Sequence, residues 1–134
     1  MTYNILCIED NEDNMMLVQR ALEARGYRLL KAMRGMDGIA IAESQQVDLI
    51  LLDINLPDID GHEVARRLRS SSKPELTRVP IIAVTANALK GDAEKALVSG
   101  CDVYMSKPIN IRELWARVEE FLPTSKPFVI SQKG

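Results

Sequence analysis

The amino-acid sequence predicts an α/β protein, a single domain doubly wound on a five-stranded parallel sheet. Two observations carry that expectation. Apolar runs of strand length alternate along the chain with segments of helical period, as they do when buried strands are joined by crossover helices. Four of those runs also stop at polar residues: Glu9-Asp10, Asp53, Thr85 and Lys107-Pro108. Strand ends of this kind open onto the crevice where doubly wound sheets bind ligands.

The elements follow in order. Ile5-Leu6-Cys7-Ile8 marks a strand near 4-8. On the helix predicted over 12-25, Leu17, Val18, Ala21 and Leu22 form one apolar arc, which puts Met16 nearly opposite and Met15 at its margin. Gly26 stops that helix. Arg28-Leu29-Leu30-Lys31-Ala32 is charged near both ends, as an exposed edge strand is. A helix over 36-46 leads into the strand 47-52, whose run Val47-Asp48-Leu49-Ile50-Leu51-Leu52 ends in Asp53. Asp60-Gly61-His62-Glu63 resembles a capping box at the head of a helix over 60-71. There His62 reads as a solvated surface histidine, and Arg66, Arg67 and Arg69 as a solvated face. Ile81-Ile82-Ala83-Val84, in a strand near 80-84, runs into Thr85. A helix over 88-99 stops at Gly100, a strand near 102-105 leads to Lys107, and Asn110-Ile111-Arg112-Glu113 opens a helix over 110-122.

The bulk numbers narrow the function. A chain of 134 residues accommodates one ordinary domain, here 1-122. Residues 123-134, with Pro123 and Pro127 and no helical pattern, read as a short flexible tail in which Phe128-Val129-Ile130 is a minor docking candidate. Seventeen basic against 19 acidic residues give a net charge of -2, which points away from nucleic acid and anionic membranes. The start, Met1-Thr2-Tyr3-Asn4, has neither the basic flank nor the apolar run of a secretory signal, so the cytoplasm is expected. The methionine start and short tail suggest a complete small protein. Two cysteines make neither a disulfide framework nor a metal site. Cys7 reads as a buried thiol, and Cys101 as a turn residue with little claim to redox sensing.

The chemistry lies at the strand ends. Glu9, Asp10 and Asp53 offer hard oxygen ligands of the kind Mg2+ prefers. Thr85 supplies a hydroxyl, Lys107 an ammonium, and backbone N–H groups around Asn55 and Ala86 complete a cradle for phosphoryl oxygens. These parts suit attack by a carboxylate on phosphorus, with Asp53 as the nucleophile, to give an aspartyl phosphate.

Glu9-Asp10, the run Leu51-Leu52-Asp53-Ile54-Asn55-Leu56-Pro57 with Asp60-Gly61, then Val84-Thr85-Ala86 and Lys107-Pro108 together resemble the receiver domain of bacterial two-component response regulators, a CheY-like superfamily. The likeness covers residues 4-122. Through Thr85-Ala86-Asn87-Ala88-Leu89-Lys90-Gly91-Asp92 it is strongest to stand-alone regulators of the DivK type and to receivers of hybrid histidine kinases. It implies a flavodoxin-like (βα)5 fold and a switch that is not an enzyme toward outside substrates. Asp53 would accept a phosphoryl group from a histidine kinase or histidine phosphotransfer protein. Asp10 would bind Mg2+ directly, Glu9 mainly through water, and the main-chain carbonyl of Asn55 would be a further ligand. The resemblance further implies phosphoryl contacts from Thr85 and Lys107, and a cis bond between Lys107 and Pro108.

Signalling would couple Thr85 to Tyr104, which moves inward as Thr85 is drawn to the phosphate. Met15 and Met16 would be candidates for docking a helical phosphodonor. A downstream protein partner is expected, without a DNA-binding output domain, and the chain would be a monomer or weak homodimer. Glu9 departs from the Asp common among relatives, which leaves the acceptor intact but bears on magnesium affinity.

Alternatives remain at this level. The chain could be a receiver fragment of a hybrid histidine kinase. A Mg2+-dependent phosphohydrolase of the haloacid dehalogenase type also uses an aspartate nucleophile, but its motif resembles D-x-D, and Asp53-Ile54-Asn55 lacks the second acid. A calcium loop would need glycine at its sixth position. Glycine-rich nucleotide loops are absent.

Overall fold

A computed structural model describes residues 2-86 and 91-123 of the chain. Strands β1 (Asn4–Ile8), β2 (Arg28–Ala32), β3 (Leu49–Asp53), β4 (Ile81–Thr85) and β5 (Val103–Ser106) alternate with helices α1 (Glu12–Glu23), α2 (Gly35–Ser44), α3 (Gly61–Arg69), α4 (Asp92–Ser99) and α5 (Ile111–Phe121). The five strands form one parallel sheet in the order β2-β1-β3-β4-β5. This is the flavodoxin-like fold the sequence predicts, with β2 at an edge as its charged ends require. A 3-10 turn at Pro74–Thr77 is an addition that the apolar periodicity did not signal.

Successive residues of each strand face opposite layers. Ile5, Cys7, Leu49, Leu51, Ile82 and Met105 pack with Val18, Leu22, Leu114 and Val118 of α1 and α5. Leu6, Ile8, Ile50, Leu52, Ile81 and Ala83 pack with Ile39, Val64, Leu68 and Ala96 of α2, α3 and α4. Both faces are thus apolar, which explains runs without alternation. Each fully buried leucine or isoleucine contributes about 2 kcal/mol. The register then aligns the carboxyl ends: Ile8 pairs with Leu52, Asp53 with Val84, and Thr85 with Ser106. Glu9, Asp53, Thr85 and Lys107 therefore leave the sheet at one edge.

Several local expectations are corrected. Met15 is not at the margin of the α1 arc; it is 5 % exposed and packs in the core, whereas Met16 is 50 % exposed. Met15 precedes Val18 by three residues and Leu22 by seven, so it belongs to the same helical face, and it is not available for docking. His62 is buried, with Nδ1 lacking a hydrogen-bond partner among the described residues, because the first turn of α3 faces α4, where His62 lies with Lys95, Val98 and Ser99, rather than solvent. Arg69 leaves the solvated face: Nε donates to the Gly100 carbonyl, Nη1 to that of Leu76, and Nη2 pairs with Asp102. Arg66 and Arg67 are exposed and both pair with Glu63. Glu63 is consequently not closing a capping box. The α3 cap is the Asp60 carboxylate accepting from the His62 N–H.

Asn11 and Asn110 cap α1 and α5 through side-chain oxygens. Gly100 closes α4 at φ 115°, in the left-handed region that glycine tolerates. Cys101 is buried rather than displayed at a turn, and burial pushes its thiol up to about 11, which makes it a poor thiolate. Among the described residues no helix is long and apolar enough to cross a membrane. The segment Asn87-Ala88-Leu89-Lys90 and the tail from Thr124 lie outside the described residues.

Candidate functional site

The site is assembled by strand ends and the loops that leave them. Asp53 closes β3 and is 2 % exposed. Its two oxygens are used differently. Oδ1 accepts the Asn55 N–H at 2.9 Å, and Oδ2 accepts from Lys107 Nζ at 3.0 Å. The loop behind is held by the Ile54 N–H on the Val84 carbonyl and the Gly61 N–H on the Ile54 carbonyl. A Cβ at position 61 would stand 2.5 Å from Ile54 Cα and 2.7 Å from the Asp53 carbonyl oxygen. Only glycine lets α3 start this close to the acidic loop.

Glu9, one residue past β1, is as buried as Asp53. Its Oε2 accepts the Asn11 N–H at 3.0 Å, and Oε1 lies 3.7 Å from Lys107 Nζ. Burial raises the Glu9 carboxyl to about 7, against the Asn11 hydrogen bond, and the charge of Asp53 adds to the rise. Lys107 feels the opposite balance. Burial draws its pKa down, but the hydrogen bond to Asp53 and the charges of Asp53, Glu9 and Asp10 leave it raised. The ammonium is therefore retained. Burial, with Glu9 and Asp53 behind it, pushes the Cys7 thiol far up, which keeps Cys7 a neutral thiol.

Asp10 is exposed beside these groups, and one oxygen each from Glu9, Asp10 and Asp53 fall within 4.8 Å of one another. Three carboxylates around one point, with a single lysine between two of them, make a hard-oxygen donor set that fits a divalent cation of the magnesium kind. Thr85 ends β4 and is fully buried, and its carbonyl accepts the Lys107 N–H at 2.9 Å. The peptide bond between Lys107 and Pro108 is cis. Tyr104 lies on the edge strand β5, opposite Ala83 and 41 % exposed. Asn55 is exposed, with its N–H committed to Asp53.

Glu9, Asp10, Asp53 and Lys107 thus meet, with Thr85 on the adjoining strand end, while Met16 and Tyr104 lie on the surface outside the cluster. Sequence reasoning missed Asp58. Its oxygens accept the N–H groups of Gly35 and Met36 at 2.8 Å each, a contact across more than 20 residues that no local spacing announces.

Comparison with known proteins places the chain in one family. A family model for the response regulator receiver domain matches residues 5–119. The chain belongs to that family. It is 39 % identical over 122 residues to the polar-differentiation response regulator DivK of Brucella ovis, covering 91 % of this chain and 98 % of DivK. The receiver domain of sensor histidine kinase PA1611 from Pseudomonas aeruginosa PAO1 was crystallised with a magnesium ion coordinated in its active-site cleft. It is 37 % identical with a TM-score of 0.83, over 90 % of this chain and 98 % of that one. A co-crystal structure from Saccharomyces cerevisiae pairs the histidine phosphotransfer protein Ypd1 with the receiver domain of Ssk1. The match is 30 % identical with a TM-score of 0.82, over 90 % of this chain and 88 % of that one. This receiver domain accordingly belongs to two-component and phosphorelay signalling.

Proposed function

We propose that residues 1-122 form a phosphorylation-activated switch in which Asp53 accepts a phosphoryl group from a histidine kinase or histidine phosphotransfer protein, and that 123-134 is an appended tail. One observation carries the reading: the buried Asp53 carboxylate pairs with the Lys107 ammonium and shares one acidic cluster with Glu9 and Asp10 at the carboxyl ends of the strands. In the reaction an Asp53 oxygen bonds to phosphorus as the P–N bond of the phosphohistidine breaks. The imidazole leaves with the bond pair and the acyl phosphate remains. Lys107 stays charged and offsets the negative charge that the phosphoryl oxygens bring.

Glu9, Asp10, Asp53 and the main-chain carbonyl of Asn55 would hold Mg2+, in keeping with the magnesium in the Pseudomonas receiver. When bound, the ion supplies electrostatic stabilisation to the phosphoryl oxygens. Thr85 would donate its hydroxyl to one of those oxygens, and Tyr104 would shift inward along β5 as Thr85 is drawn over. The consequence is altered binding of a downstream protein, in the cytoplasm, by a chain that acts as a monomer or weak homodimer. Met16 remains a candidate contact for the phosphodonor.

The competing reading is turnover of an external phosphomonoester. Incubation with p-nitrophenyl phosphate and Mg2+, alongside a phosphorylated histidine kinase, separates them. The switch takes up at most one phosphoryl group per chain from the kinase and releases no nitrophenol catalytically. Sustained release would overturn it.

A further inference from the structure

The loop from Asp53 to Gly61 is fixed at both ends, to Lys107 and Val84 at one and to α3 at the other. Its middle is fixed differently. Asp58 Oδ1 accepts the Gly35 N–H and Oδ2 the Met36 N–H, both at 2.8 Å. These are the first two residues of α2, whose N-cap residue Arg34 supplies no side-chain hydrogen bond. The free donors of that helix are thus met by a carboxylate from another loop. The Met36 N–H, against an opposing effect of burial and with the Gly35 N–H behind it, holds the Asp58 carboxyl below its ordinary value. The approach is tight. A Cβ at Gly35 would stand 2.9 Å from Ile59 Cγ1 and Val64 Cγ2, and 3.4 Å from Asp58 Oδ1.

We infer that Asp58 is a positioning residue for the divalent cation: its two bonds to α2 hold the 54–60 loop, and with it the carbonyl of Asn55, at the acidic cluster. The inference rests on the reading of Asn55 as a main-chain ligand. Its physical basis is the chain path. Asn55 lies three residues before Asp58, its N–H is spent on Asp53, and a carbonyl ligand is only as well placed as the backbone that bears it. Releasing Asp58 frees that backbone while every carboxylate of the cluster stays in place.

The test is a MgCl2 titration of metal-free wild type, Asp58→Ala and Asp58→Asn, read by the amide resonance of Asn55, with urea unfolding in EDTA beside it. Asp58→Ala is expected to weaken the cation Kd about tenfold. Asp58→Asn, which keeps one acceptor oxygen, falls between the two. A purely structural role would lower the unfolding midpoint and leave the Kd where it was, and that result overturns the proposal. Should Asp58→Ala fail to fold, an unchanged Kd in Asp58→Asn overturns it equally. Wild type that shows no cation-dependent shift at Asn55 would overturn the metal reading itself, a different result from equal Kd values across the three proteins.

Discussion

The ammonium of Lys107 lies 3.0 Å from Oδ2 of Asp53 although 54 residues separate the two in the chain. Each is delivered by a strand end, β3 for Asp53 and β5 for Lys107, with β4 between them. The pair couples the acceptor carboxylate to the cation that would offset its phosphoryl group.

Removing that cation should slow the chemistry without removing the acceptor. Lys107→Ala is expected to reduce the rate of phosphorylation by acetyl phosphate roughly 10²-fold, the scale of losing one preorganised electrostatic donor. Mg2+ binding should hold or tighten, since a positive charge leaves the acidic cluster. A stopped-flow or quenched time course reads the first, and calorimetry the second. An unchanged rate would take Lys107 out of the reaction.

The pH dependence follows from Glu9. Burial raises its carboxyl from 4.5 to about 7, so between those values the folded metal-free protein binds more protons than the unfolded chain. Stability from this group is fully present below about 4.5 and is lost as pH rises through about 7. Urea midpoints in EDTA should therefore carry a falling component between about pH 4.5 and pH 7 that Glu9→Gln removes. Over the same rise Mg2+ affinity should grow, because the ion competes with the Glu9 proton. Identical pH slopes for wild type and Glu9→Gln would contradict the assignment.

Buried His62 has a different consequence. Its Nδ1, without a hydrogen-bond partner among the described residues, loses hydration on folding, so His62→Leu should raise stability by about 1 kcal/mol. Chemical denaturation reads the change. A clear loss of stability would mean that the ring nitrogen has a hydrogen-bond partner after all.

The strand ends were legible in sequence because they depend on direction alone: a parallel sheet sends Glu9, Asp53, Thr85 and Lys107 to one edge whatever the exact boundaries. Met15 was legible too, had the arc been extended back one turn from Val18. His62, Arg69 and Asp58 were not. Each is defined by a partner or a neighbouring surface far along the chain: α4 beside His62, Gly100 and Asp102 for Arg69, the head of α2 for Asp58. Helical period and capping pattern report only near neighbours, so residues acting between elements look like solvated charge. The function survived these errors because its groups lie on backbone positions that topology determines.

The central claim is that Asp53 is the residue esterified. Incubating wild type and Asp53→Asn with Mg2+ and acetyl phosphate, followed by intact mass measurement, tests it most directly. The account predicts a single phosphoryl adduct on wild type, dependent on Mg2+, and none on Asp53→Asn. An adduct of equal yield on both proteins would contradict it.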